Sequence, residues 1–171
     1  MNIFMRFVLY FIRKLTAAVV IIVLIMFAAF MGYDYANIYV NVKEGISQRA
    51  EVILKEGDYT ILSKFYTQDY LEKDSMLSDN PYDSFIVTNY NMRIKIKKIN
   101  VWPWNDVAKV VIEEVVKDIN AAPKDSEEES LAIPQWENGE KLVVMKKNGR
   151  WRIDRIIMTN PIQIDEAKNQ E

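Results

Sequence analysis

Two residue types are missing from this 171-residue chain altogether, cysteine and histidine. Without cysteine there is no disulfide, no thiolate metal ligand and no thiol nucleophile. Without histidine the Ser-His and Cys-His arrangements go too, together with most zinc and transition-metal sites. The sequence therefore predicts no catalytic centre, no metal and no cofactor. Glycine is scarce, five in all and each isolated, so no Gly-rich loop is there to cradle a phosphate. An excess of basic charge is lacking as well. Beyond Arg6, Arg13 and Lys14, the other 19 basic residues stand against all 24 acidic ones, a net of −5. Such a domain has no electrostatic reason to seek phosphate backbones, and nucleic acid is not an expected partner.

Hydrophobic runs are not lacking. From Leu15 to Met31 seventeen residues run with only Thr16 polar, and Val19 to Ile25 is valine, isoleucine and leucine throughout. At about 1.5 Å per residue, a helix of that length crosses most of a hydrocarbon core roughly 30 Å thick. Leu15, Val19, Val23, Phe27 and Met31 sample the predicted lipid-embedded stretch. Arg13 and Lys14 suit snorkelling at one end, Tyr33 and Tyr35 the interface at the other. The apolar run Phe7 to Ile12 either lies on the cytoplasmic surface or prolongs the helix. A cleaved secretory signal shares the basic start, but no small-x-small site follows the run, and a retained anchor is the expectation. Arg6, Arg13 and Lys14 on the N-terminal flank predict that this end is cytoplasmic and that the remainder faces outward across the cell membrane. The expected organisation is a basic segment 1–14, a transmembrane helix 15–33, a juxtamembrane helix 34–56, an extracytoplasmic domain 57–160 and a tail 161–171.

Apolar side chains at Tyr35, Ile38, Tyr39, Val42, Ile46, Ala50 and Ile53 recur at three- and four-residue steps, which predicts a helix from Tyr35 to about Glu56, weakened at Gly45. This stripe packs on its own domain or forms a homo-oligomeric seam. Asp58 suits an N-cap for a second helix, Tyr59 to about Lys73, with Leu62, Phe65, Tyr66 and Tyr70 along one side. The period then changes to alternation. Phe85 to Val101 reads as a strand whose apolar parity switches across Lys97-Lys98, the mark of a β-bulge. Trp102 to Asp106 connects it to a second strand, Val107 to Ile119, and a polar loop with Asp125 and Glu127 to Glu129 follows. Leu142 to Ile153 reads as a hairpin turning at Asn148-Gly149. Pairing Lys147 with Arg150 predicts a core face of Leu142, Val144, Trp151 and Ile153, with Arg152 in solvent.

Two stretches carry a family likeness. Gly57-Asp58-Tyr59 through Phe65, Tyr66 and Tyr70-Leu71 resembles the opening helix of NTF2-like (cystatin-like) α+β domains, and Asn148-Gly149-Arg150-Trp151-Arg152-Ile153-Asp154 resembles their closing hairpin. The resemblance implies an α+β fold, a curved antiparallel sheet packed on helices around a conical cavity. With a transmembrane helix in front, the architecture is similar to VirB8-like proteins, single-pass assembly factors of type IV secretion and conjugation machines. The Asn-Pro pairs at Asn80-Pro81 and Asn160-Pro161 lack the glycine of that group's motif.

NTF2-like enzymes commonly use an Asp-His pair inside the cone, which this chain cannot supply. The remaining acid candidates are Glu113 and Glu114, which alternation points to opposite faces of one strand. One could act as a base from an apolar pocket. The plainer reading is a strand edge or an ion pair with a lysine of the first strand. Trp102 and Trp104 flank a proline at a hairpin tip, where they either anchor a partner or tuck a ring against the domain. The sequence thus predicts a non-enzymatic interaction or scaffold domain whose partners are the bilayer and other envelope proteins, with a homo-oligomer as a further option. The alternative is a small-molecule sensor or enzyme using the cone, which requires an open cavity lined by converging polar groups.

Overall fold

The computed structural model describes residues 3–124 and 132–162. The acidic stretch containing Asp125 and Glu127 to Glu129, and most of the tail, lie outside the described residues. One helix dominates. α1, Ile3–Lys55, runs 53 residues without a break, about 80 Å at the usual rise. It is long and apolar enough to cross a membrane, and no residue of its most apolar stretch is buried in the rest of the molecule. From Asp34 onward one face turns inward. Ile38, Val42, Ile46, Ala50 and Ile53 are buried at helical spacing, so the stripe packs on its own domain. Tyr35 and Tyr39, expected on that stripe, are exposed, while Asp34 and Arg49 are buried in it. At Gly45 other elements come close: a Cβ there would sit 3.0 Å from both Phe65 Cβ and Ile153 Cδ1. The helix stops as Glu56 takes a φ of 52°, and the Asn80 side-chain amide donates to the Ile53 carbonyl at 2.8 Å.

The second helix expected over Tyr59 to Lys73 is broken. A 3₁₀ helix, Tyr59–Lys64, capped by Asp58, is followed by α2, Gln68–Lys73, and α3, Ser75–Ser78. Between the first two, the backbone leaves the helix to pair with the sheet. The amide of Thr67 donates to the Ile153 carbonyl at 2.9 Å, and the amide of Ile153 donates to the Phe65 carbonyl at 2.7 Å. Aromatic spacing alone could not reveal that tertiary pairing.

Four strands, β1 Phe85–Asn100, β2 Val107–Pro123, β3 Gly139–Asn148 and β4 Arg150–Pro161, form one antiparallel sheet in the order β1-β2-β3-β4. The class is α+β. The register slips between Ile96 and Lys98, where the parity switch predicts a bulge. β2 continues past Ile119 to Pro123. Ala108, Val110, Ile112, Glu114 and Val116 face the core at period two. The closing hairpin departs from expectation. Lys147 lies opposite Trp151 and Asn148 opposite Arg150, with Gly149 alone at the tip at φ +69°. That one-residue change inverts β3, so Val143 and Met145, not Leu142 and Val144, join Trp151 and Ile153 in the main hydrophobic cluster. A second slip, between Val144 and Met145, changes the parity of β4 beyond Ile153, so that Val143 lies opposite Ile156.

Candidate functional site

The inward face of the sheet and the inward face of α1 carry an unusual share of charge. Near the apolar half of α1, the Asp34 carboxylate accepts from Lys147 Nζ at 3.0 Å and from Trp151 Nε1 at 3.0 Å. Fifteen residues further along the helix, about 22 Å, Arg49 makes a two-pronged pair with Asp74: Nε to Oδ2 at 2.5 Å and Nη2 to Oδ1 at 2.8 Å. Arg49 also lies over the Trp136 ring, 6.0 Å from its centre. Trp136 Nε1 in turn donates to Glu114 Oε1 at 2.8 Å, and Lys141 Nζ donates to Glu114 Oε2 at 2.9 Å. Asp74, Arg49, Trp136, Glu114 and Lys141 therefore form one connected chain of buried groups.

Local sequence explains each placement. Arg49 sits on the same helical face as Ile46, Ala50 and Ile53, Asp74 caps α3 with its side chain, and Glu114 takes the inward parity of β2. Lys141 lies on β3 beside the point where Glu114 pairs with Gly139. Past that pair, Asn138 extends the ladder with its side chain, which both accepts from the Val116 amide at 2.6 Å and donates to its carbonyl at 2.9 Å.

Burial opposes the charge on Arg49, yet its hydrogen bonds to Asp74 and the electron-rich tyrosines beside it hold its pKa above the ordinary arginine value. Burial raises the Tyr66 and Tyr70 hydroxyls well above theirs, Arg49 acting the other way. The two rings stack at 4.9 Å, and the Tyr66 hydroxyl has no hydrogen-bond partner among the described residues. A hollow of about 240 Å³ opens onto this cluster beside Arg49, Lys73, Asp74, Glu137 and Lys141. Of these groups, Arg49 is paired with Asp74 and Lys141 with Glu114. Beneath it, Tyr66, Trp136, Ile112 and Met145 fill the space between helix and sheet.

Glu114 is only 1% exposed and points into this interior. Glu113 faces the other way, where it pairs with Lys97 of β1 at 3.0 Å and with Arg93 at 3.6 Å. The hydrogen bond from Lys97 lowers the Glu113 pKa. Trp102 and Trp104 are both exposed at the β1–β2 tip. Leu15, Val19, Val23 and Phe27 project from α1 without burial, Met31 is partly covered, and Arg6, Arg13 and Lys14 lie exposed on the same helix. Sequence reasoning did not select Asp34, Arg49, Asp74, Trp136 or Lys141. For Arg49 a signal existed, a charge set within an apolar helical stripe. The others are assembled by contacts distant in sequence. Among the described residues no three acidic side chains converge as a metal cage. Comparison with protein-family models, curated proteins and solved structures finds no match.

Proposed function

We propose that this chain is a membrane-anchored interaction or scaffold module, an NTF2-like domain held outside the cytoplasm as a subunit or assembly factor of a cell-envelope complex, in the manner of VirB8-like proteins. The observation that carries this reading is the unbroken course of α1. One helix is both the apolar segment and the central element of the domain core, so the domain has a fixed stance on the surface from which it projects. A flexible linker would suit a free-ranging enzyme; a rigid stalk suits a part held in register with neighbours.

The interior favours the same role over a cavity enzyme. Its buried acids and bases neutralise one another in ion pairs, and large side chains such as Tyr66, Ile112 and Met145 are fully buried between helix and sheet. The outer face of the sheet, by contrast, presents Arg93, Lys95 and Lys97 against Glu113 and Glu140, a mixed-charge surface suited to a polar contact. Photo-crosslinking amino acids placed at Arg93 and Lys95 in the full-length protein in cells test the proposal. Discrete adducts to other envelope proteins or to a second copy are expected. Absence of adducts from both positions, with saturable small-molecule binding blocked by change at Lys141, contradicts it and favours the sensor or enzyme reading.

A further inference from the structure

The β1–β2 connection is not a free-standing tip. The amide of Asn105 donates to the Trp102 carbonyl at 3.0 Å, closing a turn with Pro103 at the position that suits proline. This turn sets the Trp102 and Trp104 rings side by side, 5.4 Å apart and 26° from parallel. Trp104 also lies 6.1 Å from the ring of Phe27, inside the apolar run of α1. Both indoles are nonetheless open, Trp102 49% exposed and Trp104 70%. Phe27 is 37% exposed.

The contact fixes a height. Phe27 lies four residues, about 6 Å along the helix, inside Met31, the end of the apolar run. A ring resting on Phe27 is therefore about one helical turn below the level where the apolar segment ends. The stance is braced from the domain side. Lys147 binds Asp34 through its side chain and donates its backbone amide to the Asp106 carbonyl at 2.8 Å, which ties the tips of the two hairpins to each other and both to α1.

We propose that Trp102, Pro103 and Trp104 form a second membrane contact, a wedge that seats in the leaflet nearest the domain, its partner being the lipid of the bilayer that α1 crosses. This rests on the reading of α1 as a membrane span. Continuity identifies the occupant: the exposed indoles adjoin the one surface already assigned to lipid, at the depth where amphipathic aromatic rings are favoured. The wedge and the helix together hold the domain by two points, which fixes its tilt as well as its distance from the surface.

Tryptophan fluorescence of the full-length protein in phosphatidylcholine vesicles tests this. Two of the four tryptophans, Trp136 and Trp151, are buried in the domain, so lipids brominated on their acyl chains should remove about half of the emission. Iodide in the water should remove little. Trp102→Phe/Trp104→Phe should abolish the lipid quenching while leaving the protected emission of Trp136 and Trp151, which reports that the domain is folded. Quenching by iodide and not by brominated lipid, in protein that resists alkaline extraction from the vesicles, overturns the wedge while leaving the anchor standing, and leaves the tip free for a protein partner. Protein released by alkaline extraction overturns the anchor and the wedge with it.

Discussion

Trp151 and Arg152 are neighbours on one strand with opposite fates. Trp151 is buried among Ile153, Val143 and Met145 and donates to Asp34. Arg152, expected in solvent, is half-buried, and its Nε has no hydrogen-bond partner among the described residues, so that side chain gains little from its place. Trp151→Ala is expected to cost about 3 kcal/mol or more, Arg152→Ala less than about 1 kcal/mol. Urea melts of the full-length chain in detergent measure both; equal losses would contradict the observed packing. Glu114→Gln strands the buried ammonium of Lys141 and should cost about 3–5 kcal/mol. Adding Lys141→Met should recover much of that loss, since the glutamine oxygen still accepts from Trp136. A double variant no more stable than the single one would show that the pair is not coupled. Alternation placed one of these adjacent acids on each face, but nothing local could reveal that Glu114 meets Trp136 and Lys141, 22 and 27 residues away. The pH response follows from the same groups. The Glu113 and Asp58 carboxyls are held low, by Lys97 and by Thr60 respectively. Their contributions are present above the unfolded carboxylate pKa and are lost as pH falls through the folded values. Burial raises Tyr66, Tyr70 and Tyr82, the last to about 12. Stability is therefore intact below the unfolded tyrosine pKa near 10 and is lost as pH rises toward the folded values. With no histidine in the chain, melting temperature should be level from about pH 6 to 9 and fall on both sides. A slope through neutrality would contradict this.

Among the elements, α1 and β1 were the most legible, because long runs of one period leave little to tertiary context. The bulge at Lys97-Lys98 was visible because a parity switch has few other causes. The closing hairpin was legible as a hairpin but not in register: Asn148-Gly149 suggests a two-residue turn, whereas the chain places Gly149 alone at the tip. The Tyr59–Lys73 segment departs from the continuous helix that its aromatic spacing suggests because Phe65, Tyr66 and Thr67 pair with Ile153 in preference to continuing a helix. That pairing is also what presses Phe65 and Ile153 onto Gly45. Gly45→Val should therefore destabilise the domain by about 1–3 kcal/mol through overpacking, despite replacing glycine within a helix. A stabilised variant in the same melts would mean that this contact is loose.

At the scale of the whole molecule, an exposed apolar helix half and a packed amphipathic half share one axis, and the ion pair of Asp34 with Lys147 marks the junction between them. The apolar half is legible from composition alone. The stance of the domain is not, because it depends on that junction and on the contact of Trp104 with Phe27. The central claim is that α1 anchors the domain across a membrane with the folded part outside. The absence of native cysteine makes single introduced cysteines unambiguous reporters of side. Met5→Cys, near the N-terminus, and Asp83→Cys, in the exposed turn before β1, would be treated with a membrane-impermeant maleimide in cells stripped to an intact cytoplasmic membrane. The account predicts labelling at position 83 at once and at position 5 only after the membrane is opened. Labelling at position 5 with protection at position 83 would contradict the orientation, and labelling of both in intact cells would contradict the anchor itself.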